Sequence, residues 1–525
     1  MVKRTGNRYL YLVVFTSGMT TLAVELTASR LLGSIFGTSN IVWANVIGLM
    51  LLYLTIGYFL GGRLADRYPH HRTLLNIITW GAFLSALIPL LSRPVLLAAA
   101  SAVAGINASL ALGSFIAVLL LFSVPVTLLG MVSPFAIRLA IHDPAKAGRI
   151  SGQIYAISTL GSLVGTFLPV LVVVPLLGTY QTFLLFGGIL FLVAWIGLWL
   201  HIGSAALRWL WMPLVVIVLA LLVLNGPLRP AFSGAVLLYE DETPYNYIQV
   251  QEDTAGYRYL YLNEGQGVHS IYHPNDLQYN GTWDYFLTAP YFNPDFSPDE
   301  MESLLVIGLA AGTIPRQHIA VYGDIPMAGI EIDPGIIAAG ADYFDMNAEM
   351  MPNLDIYAED GRFILNQLDE QYTVVAIDAY RPPYIPWHLT TVEFFQQVRA
   401  HLADNGVVAI NVGRTPEDRR LVDALSRVLS EVYADVYAID VPRSFNTILI
   451  GTLQPTHATN LEDNLARLDA IQYPMLHEIL TNATAAQVPV VLSDTLFTDN
   501  RAPVEILADS LVLNFLLFGD VTQVR

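Results

Sequence analysis

The sequence predicts two joined architectures: an α-helical membrane part of about seven spans, and a doubly wound α/β part preceded by a small antiparallel β-sheet. Three observations carry this. Residues 1–230 fall into apolar runs of about 17–25 residues, each enough to cross a bilayer. From 303 to about 452, short strand-like runs alternate with helical stretches, the pattern of a parallel sheet covered on both faces. Between them, from Val236, the pattern becomes short and alternating, as in an antiparallel sheet. We place the membrane domain at 1–230, the small β domain at 236–300 and the doubly wound α/β domain at 301–525.

The membrane runs lie near 10–32, 42–62, 74–92, 108–131, 152–175, 180–200 and 209–225. The apolar stretch 93–107 is short and reads as a half-span or an interfacial helix. No cleavable signal peptide is evident, because the first span is too long and lacks a small-residue cleavage site. Basic residues cluster at Lys3, Arg4 and Arg8, at Arg63, Arg67 and Arg72, and at Arg138, Lys146 and Arg149. With the N-terminus inside, all three clusters face the cytoplasm. Glu25 and Arg30, in or at the end of the first span, form a helix–helix ion pair or mark a function. The linker Asn225–Pro230, with two prolines and a glycine, closes this region.

Charge divides the chain at the same place. Residues 1–230 hold 13 Lys and Arg against 3 Asp and Glu, whereas the remainder holds 13 against 41. So acidic a second part argues against nucleic-acid binding, which needs a basic surface. It suits a cationic substrate, although such charge also simply confers solubility. The chain has no cysteine, so disulfides, thiolate metal sites and a cysteine nucleophile are excluded.

In the second part, 247–251 and 257–262 read as strands joined by a turn through Asp253–Gly256. The run Leu304–Ile307 is a buried strand that ends at Gly308, and Ala310, Ala311 and Gly312 follow as a small-residue turn that lets the backbone lie close to a ligand. A second strand, 327–330, ends in Glu331-Ile332-Asp333. An acid at that strand tip is placed to accept hydrogen bonds from ribose hydroxyls. Further strands end at Asp378 (374–377) and run through Asn411 (406–412), with a helix near 391–403. Asp360, in Glu359-Asp360-Gly361, is placed to accept from an adenine amino group, to cap the helix that follows, or both. Ligands of such sheets bind at the carboxyl ends of the strands. Gly308, Ala311, Gly312, Glu331, Asp333, Asp360 and Gly361 are therefore the nucleoside-binding candidates.

Two resemblances sharpen this. The loop Gly57–Arg67 resembles the one between the second and third helices of major facilitator transporters and covers a half-transporter of six helices. The order small-residue turn, Glu-Ile-Asp, Glu-Asp-Gly and strand-Asp, behind an antiparallel sheet, resembles the spermidine synthase (polyamine aminopropyltransferase) family, with its Rossmann-like, methyltransferase-type domain. The whole chain, including its closing Thr498–Glu505, is similar to the branch in which a major-facilitator-like half is fused to that domain. The resemblance implies a membrane-anchored transferase. It would move an aminopropyl group from S-adenosylmethionine, or its decarboxylated form, to a small-molecule amine, releasing methylthioadenosine and using no metal. It implies Glu331 on the ribose, Asp360 on adenine and Asp378 as the catalytic group that orients or deprotonates the attacking amine. Gln266 or His269, Tyr285, Tyr380, Arg381 and Asn411 then fall on the substrate side. Two departures stand out: Ala311 and Arg381 occupy positions where the family has aspartates. Arg381 would repel a diamine or pair with a substrate carboxylate. Other chemistry on S-adenosylmethionine (aminocarboxypropyl or methyl transfer, or a lyase reaction) and a polyamine transporter with a sensing domain stay open. The partners implied are the amine, membrane lipid and a second copy of the chain. A multi-pass cell-membrane protein with a cytoplasmic catalytic domain is expected, against which an odd count of seven spans stands.

Overall fold

In the computed structural model the described residues are 2–36, 40–104, 110–223, 231–263, 267–380, 385–508 and 510. The chain divides into two compact units, 1–230 with 242–244, and the remainder.

The first unit is helical: α1 (Val2–Phe36), α2 (Asn40–Arg67), α3 (His71–Ala104), α4 (Leu110–Gly130), α5 (Val132–Ala140), α6 (Ala147–Leu168), α7 (Val174–Leu177), α8 (Thr179–Ile202) and α9 (Trp211–Val223). Among the described residues six helical stretches are long and apolar enough to cross a membrane. The seventh predicted run, 209–225, holds α9, an apolar helix with 13 described residues, which ends against 224–230, outside the described residues. The stretch 93–104 is no separate element, because α3 runs 34 residues straight through Pro94. The segment 57–67 is not a loop either: it is the last turns of α2. Its glycines serve packing. A Cβ on Gly61 would lie 2.6 Å from the Met131 Cα, and one on Gly57 would strike the Thr127 carbonyl, so the two backbones approach as only glycine permits. Gly161 and Gly165 bring α6 equally close to Phe15 and Met19 of α1. Pro169 opens a π-turn over Pro169–Val173 between α6 and α7, the local adjustment that a helix proline demands. Large apolar side chains such as Phe59, Leu120, Leu171 and Leu200 stay exposed, as on a lipid-facing surface.

The second unit begins with a four-stranded antiparallel sheet, β1 (Val236–Glu242), β2 (Tyr247–Glu252), β3 (Arg258–Leu262) and β4 (Val268–Tyr272), in sequential order. The predicted turn forms because the Asp253 carboxylate accepts from the Ala255 and Tyr257 N–H groups. The larger sheet follows as β5 (Leu304–Ile307), α10 (Thr313–Tyr322), β6 (Met327–Ile330), α11 (Pro334–Tyr343), β7 (Leu354–Tyr357), α12 (Gly361–Leu365), β8 (Tyr372–Ile377), α13 (Val392–Ala400), β9 (Leu402–Gly413), α14 (Arg420–Ser430), β10 (Asp435–Asp440), β11 (Asn446–Thr452), α15 (Asn460–Arg467), α16 (Pro474–Ala486) and β12 (Gln487–Val488). Its strand order is β12-β10-β11-β9-β8-β5-β6-β7.

Strands β7, β6, β5, β8 and β9 are parallel. The order reverses between β5 and β8, and a crevice opens at such a reversal beyond the strand ends. The expectation of a wholly parallel sheet fails at β11, which runs antiparallel to β9 and β10. The connection 441–445 is too short for a crossover helix and allows only a hairpin. Leu305 and Ile307 face one core and Leu304 and Val306 the other, the strict alternation of a strand covered on both sides. The small sheet packs Ile248, Val250, Leu260 and Leu262 onto Ala311, Ile336 and Ala339, above the turn after β5.

Candidate active site

The carboxyl ends of the parallel strands open into one cavity of about 680 Å³, walled by the large sheet on one side and by Tyr245, Asn246 and the facing ends of β3 and β4 on the other. Its floor is the turn after β5. Gly308 has φ +89°, and a Cβ there would sit 2.5 Å from the Ala379 N. Glycine therefore lets the turn lie against the strand end that carries Asp378. Ala310, also at positive φ (47°), lines the cavity.

Glu331 ends β6 and lines the cavity. Its Oε2 accepts from the Ala310 N–H (3.0 Å) and its Oε1 from the Asp333 N–H (3.1 Å). Burial pushes its carboxyl up to about 7, against those backbone donors, which pull it down. Each oxygen keeps a lone pair for a donor in the cavity. Asp333 has a different task. Its carboxylate caps α11 through the Gly335 N–H (3.0 Å) and takes a bond from Asn246 Nδ2 (2.9 Å). It is fully buried and outside the cavity wall, so it positions the turn without facing a ligand.

Asp360 caps the helix, as expected, and also lines the cavity. Its Oδ1 caps α12 through the Arg362 and Phe363 N–H groups (3.0 Å each). Its Oδ2 meets His388 Nε2 at 2.9 Å, and Asp360, Gly361 and His388 all line the cavity. The closing 498–505 stretch braces this corner: Arg362 grips Asp499 with two parallel bonds of 2.8 Å, the strong bidentate form.

Asp378 follows β8. Asn411 Nδ2 donates to its Oδ1 (2.8 Å), Asn446 Nδ2 donates to Asn411 Oδ1 (2.8 Å), and Ser444 Oγ donates to Asn446 Oδ1 (2.6 Å). The Trp283 indole also bonds the carboxylate. These donors are neutral, so burial prevails and raises the carboxyl to about 7, the range a general base needs near neutral pH. Tyr380 lines the cavity beside it, and its phenol is driven upward by burial and by the Asp378 charge.

The structure thus gathers Gly308, Glu331, Asp360, Gly361, His269, Asp378, Tyr380 and Asn411 around one space. It does not gather the rest. Ala311 is buried against the small sheet, its N–H donating to Ser270 Oγ (2.9 Å). Gly312 caps α10 in the left-handed region, and a Cβ there would meet Met346 at 2.8 Å. Tyr285 lies in the core beneath the sheet, 5% exposed; the cavity residues of that segment are Thr282 and Trp283. Gln266 and Arg381 lie outside the described residues. Sequence reasoning missed His388, Trp283, Asn446 and Arg414. Neither His388 nor Arg414 sits in a recognisable pattern. Asn446 is a strand residue brought in by the unforeseen antiparallel pairing.

Residues 294–464 match the spermine/spermidine synthase domain, behind six long apolar helices among the described residues. The chain is 29% identical over 294 residues to a probable polyamine aminopropyl transferase of Bifidobacterium longum, covering 53% of this chain and 63% of that one. A polyamine aminopropyltransferase of Vibrio vulnificus is 25% identical over 254 residues, 46% of this chain and 79% of its own. A probable spermidine synthase of Corynebacterium glutamicum superposes with a TM-score of 0.38 and 17% identity, over 51% of this chain and all of that structure.

Proposed function

We propose that this chain is a membrane-anchored transferase of the aminopropyltransferase type, which moves an aminopropyl group from decarboxylated S-adenosylmethionine to a small amine. The observation that carries the reading is that Glu331, Asp360 and Asp378 open onto one cavity, with Asp378 held by neutral donors and titrating near 7.

In this reading Glu331 takes the ribose hydroxyls, Asp360 the adenine amino group, and Gly308 and Ala310 allow close approach. Asp378 accepts a proton from the acceptor's ammonium. The freed lone pair attacks the carbon next to the sulfonium, the carbon–sulfur bond breaks, and its electron pair stays on sulfur. Methylthioadenosine leaves neutral. Asn411 and Trp283 keep the carboxylate aimed, and Tyr380 and His269 close the acceptor side. The small sheet at 236–300 roofs the catalytic domain at 301–525, and 1–230 is the anchor.

We place the catalytic domain on the cytoplasmic side, where sulfonium nucleosides are made; with the N-terminus inside, the three basic clusters also face the cytoplasm. Dimerisation belongs to the same reading and is checked by sedimentation of the detergent-solubilised protein.

The purified full chain is expected to release methylthioadenosine from decarboxylated S-adenosylmethionine and an amine. Protection of 231–525 from protease in sealed right-side-out vesicles, with cleavage in inverted ones, is expected. No methylthioadenosine from any donor and amine would refute the assignment.

A further inference from the structure

The strand order separates two ends of the cavity. Glu331 and Asp360 sit on the β6 and β7 side of Asp378, and β9 and β11 on the other. On that far side the wall is Tyr380, Gly413, Arg414, Thr415, Phe445 and Asn446. Apart from Asp378 these described residues bring no carboxylate. Arg414 is the one arginine or lysine among the described residues that line the cavity.

Arg414 is set firmly in place. Its backbone N–H donates to the Phe445 carbonyl (2.7 Å), and its Nε donates to Thr447 Oγ1 (3.1 Å) and pairs with Asp440 (3.2 Å). Asp440 is shared with Arg419 (2.6 Å), so it is not the exclusive partner of Arg414. The side chain is 12% exposed. The contacts run through Nε, and the two Nη groups are the fork with which an arginine holds a carboxylate in a bidentate pair. Asp378, Asn411 and Arg414 line one cavity in the order β8 to β9, so an acceptor with one nitrogen at Asp378 and its chain on the β9 side points its far end toward this corner. A plain diamine would bring its second ammonium to a cation.

We infer that Arg414 binds a carboxylate of the substrate held at Asp378, so that the enzyme prefers an acid-bearing substrate to a plain diamine with a decarboxylated donor. This rests on the transferase reading above. The carboxylate has two sources, an amino acid acceptor or the methionyl end of the donor, and the chemistry at Arg414 is the same for both. With S-adenosylmethionine the same bond forms and the same carbon–sulfur bond breaks. Methylthioadenosine again leaves, and an aminocarboxypropyl group is transferred.

The test uses the full chain in detergent and two matched probe pairs. Putrescine and 4-aminobutyrate share an amine and a four-carbon chain and differ only in an ammonium or a carboxylate at the far end. Decarboxylated and intact S-adenosylmethionine differ only in the carboxylate. Wild type is expected to favour the carboxylate member of one pair by about 100-fold in kcat/KM, about 2.8 kcal/mol. Arg414→Gln is expected to erase that preference, and Arg414→Lys to restore part of it. A preference in the acceptor pair identifies an amino acid acceptor, and one in the donor pair identifies S-adenosylmethionine. Calorimetric titration of 4-aminobutyrate, with methylthioadenosine present, and of S-adenosylmethionine alone reads binding without turnover. If no mixture yields methylthioadenosine, the transferase reading falls, while Arg414-dependent binding of a carboxylate still upholds this one. Wild type favouring putrescine and the decarboxylated donor, or binding unchanged by Arg414→Gln, overturns it. The wild-type preferences need no variant, so a misfolded Arg414→Gln leaves the inference decidable.

Discussion

Replacing Asp378 by asparagine should remove activity and stabilise the protein at the same time, and the stabilisation should depend on pH. The Asp378 carboxyl rises from 3.8 in the open chain to about 7 when folded, chiefly through burial. Between those values the folded protein holds a proton that the unfolded chain has lost, so stability falls as pH rises through this window, and the loss is complete above about 7. At about 1.4 kcal/mol per tenfold change in proton affinity the cost of the ionised group reaches about 4 kcal/mol. Water reaching the half-buried carboxylate reduces it to about 2 kcal/mol. The carboxamide of the Asp378→Asn variant keeps an oxygen for Asn411 Nδ2, so the side-chain chain to Ser444 survives. Thermal unfolding of Asp378→Asn should therefore match wild type at pH 4, where both side chains are neutral. At pH 8 it should lie roughly 4–8 °C higher, at about 2–4 °C per kcal/mol for a unit of this size. Methylthioadenosine release should fall by about 10²–10⁴, the usual worth of a positioned base. An equal shift in melting temperature at both pH values, or turnover within tenfold of wild type, would show that Asp378 is neither burdened by its charge nor used as a base.

Three further outcomes are expected. Glu331→Gln should weaken methylthioadenosine binding by about 10- to 100-fold in calorimetry, because a charged acceptor of ribose hydroxyls is lost. Asn411→Ala removes a donor that lowers the Asp378 pKa, so the acid limb of the kcat/KM profile should move to higher pH, with a drop of about tenfold at pH 7. Gly308→Ala should destabilise the second unit by roughly 2–3 kcal/mol in denaturant titration, since φ is +89° and the added Cβ meets the Asp378–Ala379 backbone.

Most of the scaffold was legible because it rests on periodicity. The spacing of Leu304–Ile307, Gly308 and Glu331 marks a strand, a tight turn and a strand tip, and each element lies where that pattern puts it. What failed were choices that local sequence leaves open. Tyr285 and Trp283 are aromatics two residues apart, and only the packing of Thr282–Phe292 decides which one enters the core. Asp333 and Glu331 are acids two residues apart, and the helix cap claims one of them. His388 reaches Asp360 across 28 residues, and Arg414 reaches the cavity through a hairpin pairing that no repeat announces.

The two backbone bonds on Glu331 have a kinetic meaning. A glutamate loses up to about 2 kcal/mol of rotamer freedom when it is fixed, and here the Ala310 and Asp333 amides impose that loss while the chain folds. In the proposed reading an arriving nucleoside finds the carboxylate already aimed, with no searching left to do. Association should then proceed in one step at a rate set by diffusion and by access to the cleft.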